Sequence, residues 1–464
     1  MHLCPQPLHK TSGNNITLFR TVATGDNSTS EDCLSTMDGH VDDFVFVTHE
    51  DTDSAQAGPS YLSEISDFLD SIADDLWPVN KKIHDNPELG YEEFIAHETL
   101  TKFMASRPGW KVTPSAYGLA TAWVAVFDSG KKGPVVSFNV EMDALDGIGH
   151  ACGHNLIATA SVSGGLATAE IMRKHGLGGK VVMFGTPAEE GGGGKIKLLE
   201  AGAYRDYKVD INLISHPGIV KDTALMRTSA YTAFKVEYFG REAHAAANPW
   251  LGINALDALI TAYNALSVLR QQTMPGDVIQ GNITNGGVRP NVIHAYTAGN
   301  FVVRANTQGR REELKKKVDA CFEAGATATG ATLQMTPVMS YADHVPNRVL
   351  GASYRKNFNE LSPSQPIPGS DDVDEIDGRT MASTDQGDIS YAMPSLNAGF
   401  AIVPGPGGNG PHNPEFAKAA GTRDAFERCL RVGKALAGTA VDILTEDGLL
   451  AEVKKAWKRD MKEN

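Results

Sequence analysis

The chain has 464 residues, 41% of them apolar and 21% charged, and a formal net charge of −14. That length exceeds what one hydrophobic core serves, so two folded units plus tails are expected. The acidic balance, with no Lys/Arg cluster of the kind that makes a phosphate-binding face, argues against a nucleic-acid partner, and no apolar run is long enough to span a bilayer.

Residues 1–57 are rich in Ser, Thr, Asp, Asn and Gly and show no sustained apolar period. Such a segment cannot bury enough surface to offset its ordering entropy, and a disordered tail is predicted there. Residues 1–20 contain no continuous apolar stretch of the secretory kind. Five scattered cysteines, Cys4, Cys33, Cys152, Cys321 and Cys429, do not form a disulfide framework. Both observations point to a reducing, cytoplasmic location.

From Tyr61 onward, Leu62, Ile65, Phe68, Leu69, Ile72 and Leu76 recur at spacings of three and four, which predicts an amphipathic helix. Short apolar runs at 122–127, 135–140, 180–184 and 210–215 predict strands, and 155–175 predicts a helix ended by Gly176. Strands alternating with helices imply a mostly parallel sheet. The pattern changes near Thr228. Strands at 232–239, 278–283, 295–304 and 332–340 with helices at 253–271 and 311–324 give a strand-helix-strand-strand-helix-strand order, the mark of a ferredoxin-like unit. After Asp343 the earlier style returns. The expected organisation is therefore a catalytic α/β domain in two parts, 58–227 and 343–464, with residues 228–342 inserted as a lid.

In open parallel sheets ligands bind beyond the carboxyl ends of the strands, so residues just after each apolar run carry the chemistry. The second strand leads through Asp143 to Cys152 and His154, the third ends at Glu189-Glu190, the fourth at His216, and a late run leads to His412. A thiolate, three imidazoles and a carboxylate are donors that zinc-like ions accept. Adjacent residues leaving a strand point in different directions. One carboxylate of the pair can therefore ligate metal while the other takes a proton from water, the division that metal-assisted hydrolysis needs. Gly191 to Gly194 lack the spacing of a phosphate-binding loop and fit better as a close backbone passage.

The motifs HDNPELGYEEF (84–94), DALDGIGHACGHNLIA (143–158), GTPAEEGGGGK (185–195), NGGVRPNVI (285–293) and STDQGDIS (383–390) resemble the amidohydrolase branch of the aminoacylase and glutamate-carboxypeptidase type of dinuclear metallopeptidases. They are most similar to its Xaa-Arg, or β-alanyl-lysine, dipeptidase subgroup. The resemblance covers residues 60–455. It implies two divalent ions, zinc, manganese or cobalt, held by Cys152, His154, Glu190, His216 and His412, with Glu189 as general base and Asp143 orienting the centre. It implies further that His244 stabilises an oxyanion, that Asn291, Arg304 and Ser383 contact substrate, and that the inserted domain forms a homodimer. The family pattern has Asp where Asn155 stands, a residue the dipeptidase subgroup shares, and Pro where Asp146 stands. Met142 and Gln386 replace aromatic residues usual in the subgroup and are expected to line the substrate pocket. The implied activity is hydrolysis of a dipeptide or N-acyl amino acid; amide processing in specialised-metabolite biosynthesis and a catalytically silent metal-bound scaffold are the alternatives.

Overall fold

The computed structural model describes residues 60–463, so the predicted tail at 1–57 lies outside the described residues. In chain order the strands are β1 (Trp110–Pro114), β2 (Trp123–Asp128), β3 (Val135–Glu141), β4 (Lys180–Thr186), β5 (Ile211–Gly218), β6 (Ala230–Phe239), β7 (Val278–Asn285), β8 (Tyr296–Ala305), β9 (Thr332–Tyr341) and β10 (Ser395–Ala401). They form a six-stranded sheet in the order β1-β2-β4-β3-β5-β10 and a four-stranded sheet in the order β7-β8-β6-β9.

Strands β4, β3, β5 and β10 run parallel, with β2 antiparallel to β4 and β1 antiparallel to β2. Successive residues of β4 point to opposite faces, and both faces are covered. Val181 and Met183 join the core beneath helices His154–His175 and Arg423–Thr445, while Val182 and Phe184 pack with Leu198, Tyr204 and Ile389 on the other side. This is why these strands read as continuous apolar runs. The two long helices approach closely because small residues face each other. A Cβ on Gly433 would come within 2.0 Å of Ser163 Oγ.

The segment from β6 to β9 carries its own core: Phe234, Val236 and Tyr238 of β6 pack on Leu259, Ala262 and Leu266 and on Leu314, Val318 and Phe322 of the helices Ala255–Leu269 and Gln308–Thr329. Its antiparallel strand order is the ferredoxin-like one expected. Where the chain returns from this segment, buried His344 ties the two crossings together. Its Nδ1–H donates to the Met226 carbonyl at 2.8 Å, and its Nε2 meets Ser395 Oγ at 3.0 Å.

The N-terminal helix differs from the single element predicted. It is two helices, Leu62–Ser71 and Ala73–Asp85, separated at Ile72, and the break lets Leu69 and Leu76 bury against different clusters. Among the described residues, no helix is long and apolar enough to cross a membrane.

Candidate metal centre

The carboxyl ends of β3, β4 and β5 bring four segments to one point. Asp143 follows β3, His154 opens the long helix, Glu189 and Glu190 follow β4, and His216 lies near the end of β5. His412 comes from the loop before helix Pro414–Ala420, and its backbone N–H donates to the Ala151 carbonyl at 2.7 Å. That bond, with a left-handed φ of 65° at His412, turns the imidazole toward Glu190, 3.3 Å away.

The donor atoms form overlapping groups. Cys152 with His154 and His216, Cys152 with Glu190 and His412, and His154 with Glu189 and Glu190 each lie within 4.8 Å of one another. Cys152 Sγ is 3.3 Å from His216 Nε2, and His154 Nε2 is 3.7 Å from Glu189 and 3.8 Å from Glu190. The second nitrogen of each buried imidazole is already engaged. His154 Nδ1 lies 3.2 Å from Asp143, whose other oxygen accepts the Glu190 N–H at 2.9 Å, and His216 Nδ1–H donates to the Pro217 carbonyl at 2.8 Å. Such bonds fix the tautomer and turn the Nε2 lone pair to a ligand. His154 Nε2 is buried with no hydrogen-bond partner, an orphan that a cation would satisfy. Soft, borderline and hard donors around it fit a first-row transition metal.

Charge follows the same logic. Burial and the neighbouring carboxylate of Glu141 push the Glu189 pKa well above its ordinary value, only partly offset by Lys195. Burial alone would raise Glu190 too, but the His412 imidazole 3.3 Å from it and the charge of His154 outweigh that and hold it low. Two adjacent carboxylates are thus driven apart in proton affinity, as an acid/base division requires.

The Glu189 loop is strained and pinned. Ala188 has φ 54°, and its N–H is held by the buried Glu93 carboxylate at 2.8 Å. Tyr91 OH donates to Gly192 O at 2.6 Å, and Tyr341 OH donates to Glu189 O at 2.9 Å. Gly194 is required here, since a Cβ would sit 1.8 Å from the Pro187 carbonyl. Sequence reasoning missed Glu93, Tyr91 and Tyr341; the first two stand inside the motif at 84–94, which gave a signal but no role.

A cleft of about 800 Å³ opens onto Cys152, Glu189, Glu190, His216 and His412. Arg304 and Ser383 line it as well. The Arg304 guanidinium stacks 4.5 Å from the Tyr231 ring centroid and donates to Ser383 Oγ at 2.8 Å, with no ion-pair partner among the described residues. Met142 and Gln386 do not line it, contrary to expectation. Met142 is fully buried and accepts from Trp123 Nε1 at 3.2 Å, while Gln386 is locked between Asn139 and Asn212 at 2.7 and 2.8 Å. His244 and Asn291 also lie outside the cleft lining. They are exposed neighbours on the four-stranded unit, where Ala245 N–H donates to Asn291 O at 3.1 Å.

Residues 228–329 match the model described as the peptidase dimerisation domain. The chain is 36% identical to the Xaa-Arg dipeptidase of Mus musculus over 88% of this chain and 96% of that protein. It is 24% identical to the N-acetyl-L-cysteine deacetylase of Bacillus subtilis over 75% and 84% of the two chains. In fold it is similar to a dinuclear metal-binding peptidase from the M20 family of Bacillus subtilis, with a TM-score of 0.60 at 18% identity, covering 81% of this chain and 99% of that one. The sheet, the donor cluster at its carboxyl edge and the inserted unit define a metal-dependent hydrolase of amide bonds. The chain belongs to the M20 peptidase family.

Proposed function

We propose that this hydrolase cleaves the amide bond of a dipeptide or N-acyl amino acid, with Glu189 as general base. The observation that carries the reading is a buried carboxylate, raised in proton affinity, at the floor of the cleft and 3.7 Å from the orphan nitrogen of His154. Cys152, His154, Glu190, His216 and His412 would hold two divalent ions, zinc, manganese or cobalt, with Asp143 orienting His154. Bound there, the ions supply Lewis acidity that acidifies water and polarises the scissile carbonyl. Glu189 takes the proton from that water and returns it to the leaving amine. Arg304, charged and free of any carboxylate among the described residues, meets the carboxylate of the substrate, and Ser383 holds the guanidinium in place.

His244 and Asn291 take part through a second copy of the chain. In one chain they are exposed and outside the cleft lining, beside Val288, 89% exposed, and Trp250, 76% exposed, a surface suited to a homodimer formed by the inserted unit at 228–342. The catalytic unit is then built from 58–227 and 343–464. Cys152, Cys321 and Cys429 are free thiols, in keeping with a cytoplasmic location.

The test is turnover by metal-loaded protein of three panels: dipeptides with basic C-terminal residues, N-acyl amino acids, and indole-acyl conjugates. Release of free amine from one of the first two panels is expected. Turnover confined to the third, whose amino-acid conjugates are themselves N-acyl amino acids, would narrow the acyl group to an indole-type acid, and none in any panel would remove the assignment.

A further inference from the structure

Next to the five donors, the described residues hold a buried cluster of charged groups. Lys195 opens the helix Gly194–Glu200 and is fully buried. Its ammonium contacts Glu141 Oε1 at 2.7 Å and also Asp385 Oδ1, whose second oxygen accepts the Lys195 backbone N–H at 2.9 Å. Glu141, Glu189 and Asp385 place carboxylate oxygens within 4.8 Å of one another. Three carboxylates so close resemble a cation site, and here the chain provides its own cation. A buried ammonium is tolerated only when paired, and this one is paired twice.

The pairing leaves Glu141 half used. It ends β3 and is 2% exposed, with Oε1 taken by Lys195. Its Oε2 is buried, has no hydrogen-bond partner, and lies 3.4 Å from His154 Nε2, which has none either. Two buried polar atoms without hydrogen-bond partners thus face the same point, and a cation beside them would satisfy both.

We propose that Glu141 is a further oxygen donor of the metal centre, held in place by Lys195 and Asp385. The proposal rests on the reading that Cys152, His154, Glu190, His216 and His412 bind metal. Lys195 and Asp385 are positioning residues: they fix the carboxylate so that Oε2 faces the centre and cannot rotate toward the ammonium. The same ammonium fills the space a third ion would need.

The experiment measures zinc affinity by competition with a chromophoric chelator, for the full chain and for Glu141→Gln, Glu141→Asp and His216→Ala. Removing a partner that holds or completes a metal site commonly weakens binding about 10–100-fold. Glu141→Gln is expected to fall tenfold or more, and cobalt(II)-loaded Glu141→Gln is expected to show a changed visible spectrum, since those bands report the donor set. Should circular dichroism show Glu141→Gln unfolded, Glu141→Asp, which keeps the charge but withdraws it by one methylene, is the deciding variant and is expected to weaken zinc likewise. If His216→Ala loses zinc affinity while the folded Glu141 variant keeps the full chain's affinity and spectrum, the role of Glu141 is overturned and the centre stands. If His216→Ala also binds as the full chain does, the centre itself is misassigned.

Discussion

His344 offers a measurement of how the two crossings between the sheets depend on proton binding. Burial pushes its pKa down from 6.5 to about 4, only partly offset by its bond to the Met226 carbonyl. The folded chain therefore holds a neutral imidazole where the unfolded chain protonates more readily. A group whose pKa is lower folded than unfolded costs stability as pH falls through the unfolded value, and the loss levels off below the folded one. At about 1.4 kcal/mol per pH unit, the gap corresponds to about 3.5 kcal/mol in all, of which about 2 kcal/mol is lost by pH 5. His344→Asn cannot take that proton. Whatever the fixed cost of the substitution at pH 7.5, the stability gap between the parent chain and His344→Asn should narrow by about 2 kcal/mol at pH 5. Urea unfolding of both proteins in chelator, with a common slope, gives the difference directly and removes metal release from the comparison. Taking the difference also cancels buried Asp388, whose pKa is pushed up to about 6 by burial and whose pH dependence has the opposite sign. A gap equal at the two pH values would mean that His344 is not the proton-linked group, and the account of the crossing would be wrong.

Three further outcomes are expected at the site. Glu189→Gln keeps size and hydrogen bonding but loses the base, so kcat should fall by about 10²–10⁴ while metal content, read by elemental analysis, stays the same; near-parent turnover would place the base elsewhere. If Arg304 meets the substrate carboxylate as proposed, Arg304→Met removes a charged hydrogen bond typically worth about 1.5–3 kcal/mol, so KM should rise about 10–100-fold with a smaller change in kcat. An unchanged KM for a carboxylate-bearing substrate would refute its role. His244→Ala should lower kcat by about 10²–10³ as loss of an oxyanion donor does, with metal content intact. Mixing it with Glu189→Gln should restore part of the activity if the His244 of one copy serves the other, and a mixture as inactive as either parent would exclude that arrangement.

Much of the fold was legible in the sequence because burial leaves a period. Strands β3, β4 and β5 are covered on both faces and read as apolar runs, and the change to alternation at β6 marks a sheet covered on one face. The side chains that gather at the sheet's carboxyl edge were legible for a related reason: Cys152, His154, Glu190 and His216 each follow or end such a run, where a parallel sheet opens to ligand. What local pattern could not show was decided by contacts far apart in the chain. Lys195 meets Asp385 across 190 positions, and nothing near either residue announces the pair. Met142 and Gln386 stand beside site residues in sequence yet point into the core, because their direction is set by Trp123, Asn139 and Asn212 on other elements. His244 and Asn291 share one exposed patch because residues 243–245 and 291–293 pair across the unit, an adjacency no period encodes. Periodicity records how much of a residue is covered; which residue covers it is settled only when the whole chain has closed its loops and packed.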